Sequence, residues 1–324
     1  RRLVRRSFCV SGVCAVHSEC KSPPATNINR SRDACLPASA YGDMILSSKM
    51  VPIAPNVPRD LFMTNPFTYL CESFSKAGPF YEMMSAAMAK HKPSADKPWR
   101  LVLYSDEVVP GNQLSVNNKR KIWAVYWSFL ELEQHLHNER AWCPMAAEPA
   151  HALKGVDSGI SQVFCVVLKE FFGQRGFGIS TSGVLLTSPT GVTSRLWARL
   201  GMVLQDGSAQ KYVWGCKGAG GSRPCMLCKN YASKSSGMVD HDATGLLTCA
   251  PLSARDLEFA SDADIKASWK RLQDLRGTIP KGAYKAREQA IGFSIMDHGL
   301  LSDIVLSDHV RPASQFMHDW MHGV

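Results

Sequence analysis

No apolar run in this sequence is long enough for a membrane span. A transmembrane helix needs roughly 20 consecutive apolar residues, whereas the apolar stretch at residues 160–168 is much shorter and contains Ser and Gln. We therefore expect no membrane segment. The N-terminus RRLVRRSFCVSGVCAV starts with basic residues, but its apolar piece is short and carries two cysteines, which does not favour a signal peptide.

The cysteines lack the pattern of a secreted disulfide framework. There are 11 of them in 324 residues, an odd number in a large chain, which favours a reducing compartment. Cys9, Cys14, His17 and Cys20 are spaced too tightly for an ordinary zinc finger, and incidental thiols are the simpler interpretation. The chain also shows no internal repeat at solenoid periods.

Acidic residues are few relative to basic ones. The formal net charge is +9, which favours a polyanionic partner, with nucleic acid as the first candidate. No acid occurs between Asp206 and Asp240, and basic residues there suit phosphate contacts. Lysine-rich exposed loops that merely solvate the surface are the alternative. The candidate nucleic-acid contacts are Lys119, Arg120 and Lys121 in one cluster, and Lys211, Lys217, Arg223 and Lys229 in the other.

The chain divides into four regions by composition. Residues 1–40 hold seven Arg or Lys against two acids and show no sustained period, so we expect a basic, largely irregular segment. Residues 41–98 contain helical patches and end in the proline-containing KPSADKP. A domain begins near Trp99 and its first part extends to residue 228. Residues 229–324 complete the chain.

The pattern from Trp99 onward predicts an α/β fold. WRLVLYSDEVVPG and KIWAVYWSFLEL read as a strand hairpin, and a third strand is expected at residues 141–147. GVDSGISQVFCVVLKEFFGQRG predicts a helix. GISTSGVLLTS and SRLWARLGMVLQDG predict further strands. Two or three helices should follow Cys228, and QFMHDWMHGV would place two histidines one turn apart on a terminal helix.

Two aspartates follow predicted strands one hundred residues apart. Asp106 and Asp206 each stand where an apolar strand ends, and strand ends in α/β sheets commonly present functional side chains. Hard cations require carboxylate oxygens, and two Mg²⁺ ions about 4 Å apart suit phosphodiester displacement. Both residues are also common turn formers, so a purely structural role is the alternative. Glu107 should point to the opposite sheet face.

Cys225-Met-Leu-Cys228 has the spacing with which two thiolates share one zinc ion. A redox pair or two buried thiols are the alternatives. A structural zinc site needs four ligands, and His318 and His322 are an available pair. Asp240, His241, Asp242, His298 and His309 offer other polar partners, and lone histidines are more often surface or core residues.

Four motifs together resemble DDE transposases of the cut-and-paste kind, especially the CACTA and Plavaka-like group. They are YSDEVVPGN, KIWAVYWSFLELE, LGMVLQDGSAQKYVWGCKGAGGSRPCMLC and FMHDWMHG. The likeness covers residues 99–324, and the V(D)J recombinase core has a similar acid-then-Cys-x-x-Cys spacing. Trp320 departs from the pattern, because the family's element usually has Pro there.

The resemblance implies a ribonuclease-H-like mixed sheet with a zinc-clamped helical insertion at residues 229–315. Asp106 would be the first metal-binding acid, at the end of the first strand, and Asp206 the second, after the fourth. A third acid, a glutamate, would lie beyond Val324, and Asp319 is a further candidate. The zinc ligands would be Cys225, Cys228, His318 and His322.

The implied activity is Mg²⁺-dependent cleavage and strand transfer on double-stranded DNA, at transposon ends and target, in the nucleus. A homo-oligomer is possible in such a protein. Because the third acid is not in this chain, whether the chain is an enzyme stays open. A non-catalytic, zinc-stabilised DNA-binding or scaffold protein derived from a transposable element is the main alternative. Another ribonuclease-H-like nuclease, such as a junction resolvase or an RNA-cleaving enzyme, is a third.

Overall fold

The computed structural model describes residues 36–55, 57–109, 121–173, 177–218, 221–232, 255 and 257–318. Most of the basic segment at residues 1–40 therefore lies outside the described residues. So do Lys119, Arg120, Asp319 and His322.

The region expected to be helical, residues 41–98, begins with strands. These are β1 (Ala38–Ser39), β2 (Gly42–Asp43), β3 (Ile45–Met50) and β4 (Arg59–Thr64), and β3 pairs antiparallel with β4. Burial alternates along β3, and Leu61 and Met63 of β4 are buried on either side of exposed Phe62, which is the two-residue period of a strand. Helices α1 (Pro66–Phe74) and α2 (Pro79–Lys90) follow. The helical interpretation therefore fits only the second part of this region.

The predicted hairpin and third strand are confirmed. Strands β5 (Trp99–Val108), β6 (Ile122–Phe129) and β7 (Cys143–Pro149) pair antiparallel in succession. Two 3₁₀ segments, Leu130–His137 and Glu139–Ala141, connect β6 to β7. Helix α3 (Ala150–Leu153) and the predicted helix α4 (Ile160–Phe172) come next.

The second half of the fold adds strands parallel to β5. A small hairpin, β8 (Val184–Thr187) and β9 (Thr193–Leu196), precedes β10 (Ala198–Gln205), which is parallel to β5. The segment predicted as one strand is thus split at Trp197, whose carbonyl accepts a hydrogen bond from the Trp99 amide. Helix α5 (Gly207–Trp214) follows directly.

The helices expected after Cys228 are α6 (Asp262–Leu275) and α7 (Lys281–Ile291). The expected terminal helix is wrong, because the chain instead forms strand β11 (Phe316–His318). This strand pairs parallel with β10 and so satisfies its backbone groups on that side. The main sheet has seven strands in the order β11, β10, β5, β6, β7, β4, β3, which is a mixed sheet in an α/β protein.

The core lies between one face of this sheet and the helices. Phe171 of α4 packs edge-on against Trp127 of β6, with ring centroids 5.4 Å apart, and against Phe67 of α1 at 6.0 Å. The Ser161 hydroxyl donates to the Val213 carbonyl, which joins α4 to α5 on this covered face. No helix in the described part of the chain is both long and apolar enough to cross a bilayer.

Candidate metal centre

The two predicted acids each follow the last register pair of two neighbouring parallel strands. The pairing of β10 with β5 ends at Gln205 and Ser105, and the amide of Gln205 donates to the hydroxyl of Ser105 at 3.0 Å. These two side chains share a sheet face, so alternation directs Asp106, one position further on in β5, to the opposite side. Asp206 comes directly after the last residue of β10 and has an extended backbone. Adjacent strands are about 4.8 Å apart, so we expect the two carboxyl groups to lie near each other.

Asp106 lies within β5, where pairing with β10 stops and pairing with β6 continues through Ala124. It is partly exposed. Burial and, second, the charge of Asp106 raise the pKa of Tyr126 on β6. Glu107 forms an ion pair with Lys121 at 2.6 Å and, as expected from the alternation, is on the opposite face from Asp106.

Asp206 is the N-cap of α5. Its Oδ1 accepts a hydrogen bond from the Ala209 amide at 2.6 Å, and its backbone is extended. Asp206 therefore has a local structural role, which was the alternative to metal binding. A carboxylate has about four acceptor positions, so capping through Oδ1 leaves Oδ2 as a candidate cation ligand. Oxygen donors of this kind fit Mg²⁺ rather than a soft metal.

His318 lies in β11, in register with Gln205 of β10. Its Cε1 is 3.5 Å from the position that a Cβ would occupy at Gly207, so the ring lies beside the start of α5. Among the residues that the structure describes, no group of three or more His, Cys, Asp or Glu side chains is arranged to hold a metal. Asp106 and Asp206 therefore have no such third ligand among the described residues.

The two thiols of the Cys-x-x-Cys motif are in contact. Their Sγ atoms are 3.4 Å apart, close to the roughly 3.8 Å expected for two thiolates on one tetrahedral zinc with Zn–S of about 2.3 Å. Burial, followed by the neighbouring Cys225, raises the pKa of the Cys228 thiol to about 12. Binding a metal here would require the loss of that proton.

Arg223 stabilises the loop at Cys225 and Cys228 through hydrogen bonds to backbone carbonyls, and its buried side chain does not face a ligand. Its side chain is buried, and its Nε donates to the Cys228 carbonyl at 3.0 Å. Its other nitrogens donate to the carbonyls of Lys229 at 2.9 Å and Ile291 at 3.4 Å. The prediction that Arg223 contacts nucleic acid is therefore wrong, because main-chain oxygens occupy the guanidinium.

Lys217 is also unsuited to a phosphate contact. Its side chain is only 16% exposed, and its ammonium group pairs with Glu288 at 3.1 Å and the Ser294 hydroxyl at 2.5 Å. These contacts join the loop after α5 to the region of α7. The prediction for Lys217 fails for the same reason as that for Arg223, since a charged residue in a loop was assumed to face solvent.

The remaining described lysines keep surface positions. Lys121 and Lys229 are half-exposed and form ion pairs with Glu107 and with Asp264, the latter at 2.8 Å. Lys211 on α5 is exposed, with its Nζ 5.9 Å from the Tyr212 ring centroid. Lys211 is the candidate basic residue whose position best fits an ionic contact with a polyanion.

Two other histidines considered as ligands have structural roles. His309 stacks on Phe172 with ring centroids 4.8 Å apart, and burial lowers its pKa. His298 lies 3.7 Å from Asp157. Neither belongs to a metal-binding group among the described residues.

The sequence interpretation missed the aromatic residues next to Asp106. Tyr104 and Tyr126 face each other across β5 and β6, and Trp142 contacts Tyr104. Their alternation with buried residues was a usable signal, since Tyr104 and Asp106 must share a face.

Comparisons of the chain with family models and with curated proteins found no match.

Proposed function

We propose that this chain is the catalytic core of a nucleic-acid-cleaving protein of the DDE transposase kind, in which Asp106 and Asp206 hold Mg²⁺. One observation carries the proposal: two acids one hundred positions apart each come directly after the Ser105–Gln205 register pair of two neighbouring parallel strands. Turn formation alone gives no reason for two acids to follow the same register pair in this way. Bound Mg²⁺ would polarise a phosphodiester and activate the attacking oxygen.

The strand order supports a ribonuclease-H-like arrangement. Counting from Trp99, the strands of the main sheet are β5, β6, β7, β10 and β11, and they lie in the order third, second, first, fourth, fifth. The first acid is on the first of these strands, and the second acid follows the fourth. This is the placement that the resemblance to transposases implies, reached here through backbone pairing.

The chain's own residues would bind and orient the reacting groups. The carboxylates of Asp106 and Asp206 supply hard oxygen ligands, and the cap hydrogen bond from Ala209 fixes the orientation of the second. Lys211, one turn into α5, is placed to attract a DNA phosphate. We propose double-stranded DNA as the substrate and the nucleus as the site of action on the strength of the resemblance.

The thiol pair is proposed to bind a structural zinc. Its contact distance and the support from Arg223 favour a preformed half-site. We expect the protein purified without chelator to carry zinc in a one-to-one ratio, and Cys225→Ser and Cys228→Ser to lose it, as measured by elemental analysis. Cys216→Ser is the matched control, because that buried thiol should not ligate. Equal zinc in all three variants would contradict the site.

The catalytic proposal is tested by nicking of supercoiled DNA with Mg²⁺, using a protein that extends this chain through the expected glutamate. Asp106→Asn and Asp206→Asn should abolish nicking. Because Asn caps helices about as well as Asp, the second variant keeps α5 intact. Asp106→Cys should be inactive with Mg²⁺ and partly restored by Mn²⁺, which accepts sulfur more readily.

The outcome also separates the alternative function. Glu107→Gln, on the opposite face of the same strand, is the control and should nick normally. If the protein binds DNA and zinc but no variant changes a background level of nicking, the non-catalytic DNA-binding alternative is correct. Capping by Asp206 is the observation that favours this alternative.

A further inference from the structure

The sheet face opposite α4 carries partly exposed side chains at several positions, although Val102, Ala124 and Ser128 on the same face are buried. Phe62 of β4 is 61% exposed between buried Leu61 and Met63, and Met317 of β11 is 42% exposed. Registers place Tyr104, Leu204 and Met317 in one row across β5, β10 and β11. We call this surface the open face. Asp106 and Asp206 are at its edge.

Three aromatic side chains form a cluster on the open face. The rings of Tyr104 and Tyr126 are nearly parallel, at 26°, with centroids 6.5 Å apart, and Trp142 meets Tyr104 at 5.9 Å. The indole nitrogen of Trp142 donates to the Leu136 carbonyl at 2.7 Å, which fixes that ring. All three residues are only partly buried. Fixed aromatic faces on an open sheet are a stacking platform for unpaired bases.

Two arginines lie on the open face near the start of β5, at the end away from Asp106. Arg100 of β5 and Arg199 of β10 are in register and both are exposed. Like charges in adjacent positions are unfavourable. Glu131 compensates one of them by accepting from the amide and the Nε of Arg100 at 2.8 and 3.0 Å. Arg199 forms no salt bridge with any residue in the described ranges, so its charge is available to a phosphate.

We propose that the open face binds a single-stranded nucleic-acid segment that runs along β5 towards the Asp106–Asp206 pair. Phosphates contact Arg199 and bases stack on the aromatic cluster. The distance from residue 100 to residue 106 is about 20 Å at 3.3 Å per residue, enough for a few extended nucleotides. A duplex hides its base faces in its own stack, so this platform discriminates for unpaired strands. The inference rests on the proposed function and specifies that the duplex substrate is locally unpaired where one of its strands reaches the acids.

The test is the affinity of the chain for a fluorescein-labelled oligo-dT, measured by anisotropy in EDTA, against a hairpin duplex of equal charge. We expect tighter binding of the single strand. Tyr126→Leu should weaken it about 5- to 100-fold, the range for the loss of one base–aromatic stack. Tyr126→Phe, which keeps the ring, should bind as the wild type does. Tyr212→Leu on α5 is the matched control and should also bind normally.

Arg199→Gln provides a second variant that does not disturb the half-buried cluster. It should weaken binding and reduce the salt dependence of the affinity by about one counterion. Unchanged affinity in both Tyr126→Leu and Arg199→Gln would overturn the proposal, as would preference for the duplex. A change of oligomeric state in Tyr126→Leu without a change in DNA affinity would also overturn it and would assign the face to a protein contact.

The same measurement separates this inference from the catalytic proposal. Asp106→Asn and Asp206→Asn should bind oligo-dT as the wild type does in EDTA, because no metal is involved. Normal binding together with failed nicking would reject the catalysis and keep the binding face. Normal nicking with no effect of Tyr126→Leu or Arg199→Gln on affinity would reject the binding face and keep the catalysis.

Discussion

His309 illustrates how a polar side chain becomes part of the core in this protein. Its ring stacks on Phe172 and its carbonyl accepts a hydrogen bond from the Gln315 amide. Burial lowers its pKa below the usual value of 6.5, against a smaller opposite effect of Asp308. The imidazole is therefore held neutral in the folded state.

This burial predicts a pH dependence of stability. Since the folded protein binds a proton at His309 less readily than the unfolded chain does, stability is fully present above pH 6.5 and falls as the pH drops through the lowered pKa. His309→Phe keeps the stacking and removes the titration. Urea unfolding between pH 5 and 7.5 should show a shallower decline in the variant than in the wild type. Parallel declines would contradict the assignment.

Single residues also show how far the sequence could predict the site. The positions of Asp106 near the end of β5 and of Asp206 directly after β10 were predictable from the apolar runs that precede them, whereas their role as cation ligands stays a prediction. Arg223 and Lys217 were not, because composition counts charges and does not report the carbonyl and carboxylate groups that surround them. Nothing in the local pattern distinguishes a lysine that faces Glu288 from one that faces solvent.

At the scale of elements, β10 shows how one glycine allows two strands to pair. The register between β10 and β5 shifts between Leu200 and Met202. A Cβ on the intervening Gly201 would lie 2.5 Å from the Cβ of Arg100 and 3.2 Å from its Cα. Because the backbone of β5 is there, the clash has no easy relief. The bulge precedes Asp206 and so sets its position relative to Asp106.

We predict that Gly201→Ala lowers the free energy of unfolding by about 1–3 kcal/mol, the usual range for overpacking. Gly282→Ala is the matched control, since a Cβ there meets nothing within 4 Å and the residue is in the first turn of α7. That change should stabilise by up to about 0.5–1 kcal/mol. Chemical denaturation checks both. Equal effects of the two substitutions would rule out the steric explanation.

Strands were predicted correctly where their apolar periodicity is long and incorrectly where it is short. β5, β6 and α4 have sustained apolar periods and were expected from the sequence. β11 contains three residues, and its histidine spacing fits a helix equally well. This segment forms a strand because it pairs with the edge of β10, a tertiary partner that local sequence does not reveal. The strands at residues 38–64 were missed for a similar reason.

At the scale of the whole molecule, the two faces of the sheet have different roles. Its covered face packs on α1, α4 and α5 and supplies the stability of the fold, while the open face leaves side chains available for contact. Asp106 and Asp206 stand at the edge of the open face, where the pairing of the two parallel strands ends. A parallel strand order could be expected from the alternating strands and helices, but the pairing of β10 beside β5 follows from the packing of the whole chain.

The central claim is that Asp106 and Asp206 bind the same cation, and Mn²⁺ binding in a double-mutant cycle tests it most directly. Free Mn²⁺ is measured by electron paramagnetic resonance with the wild type, Asp106→Asn, Asp206→Asn and the double variant. If both carboxylates bind one ion, each single variant should lose about as much affinity as the double variant. Losses that add independently, or single variants that bind as the wild type does, would contradict a shared site.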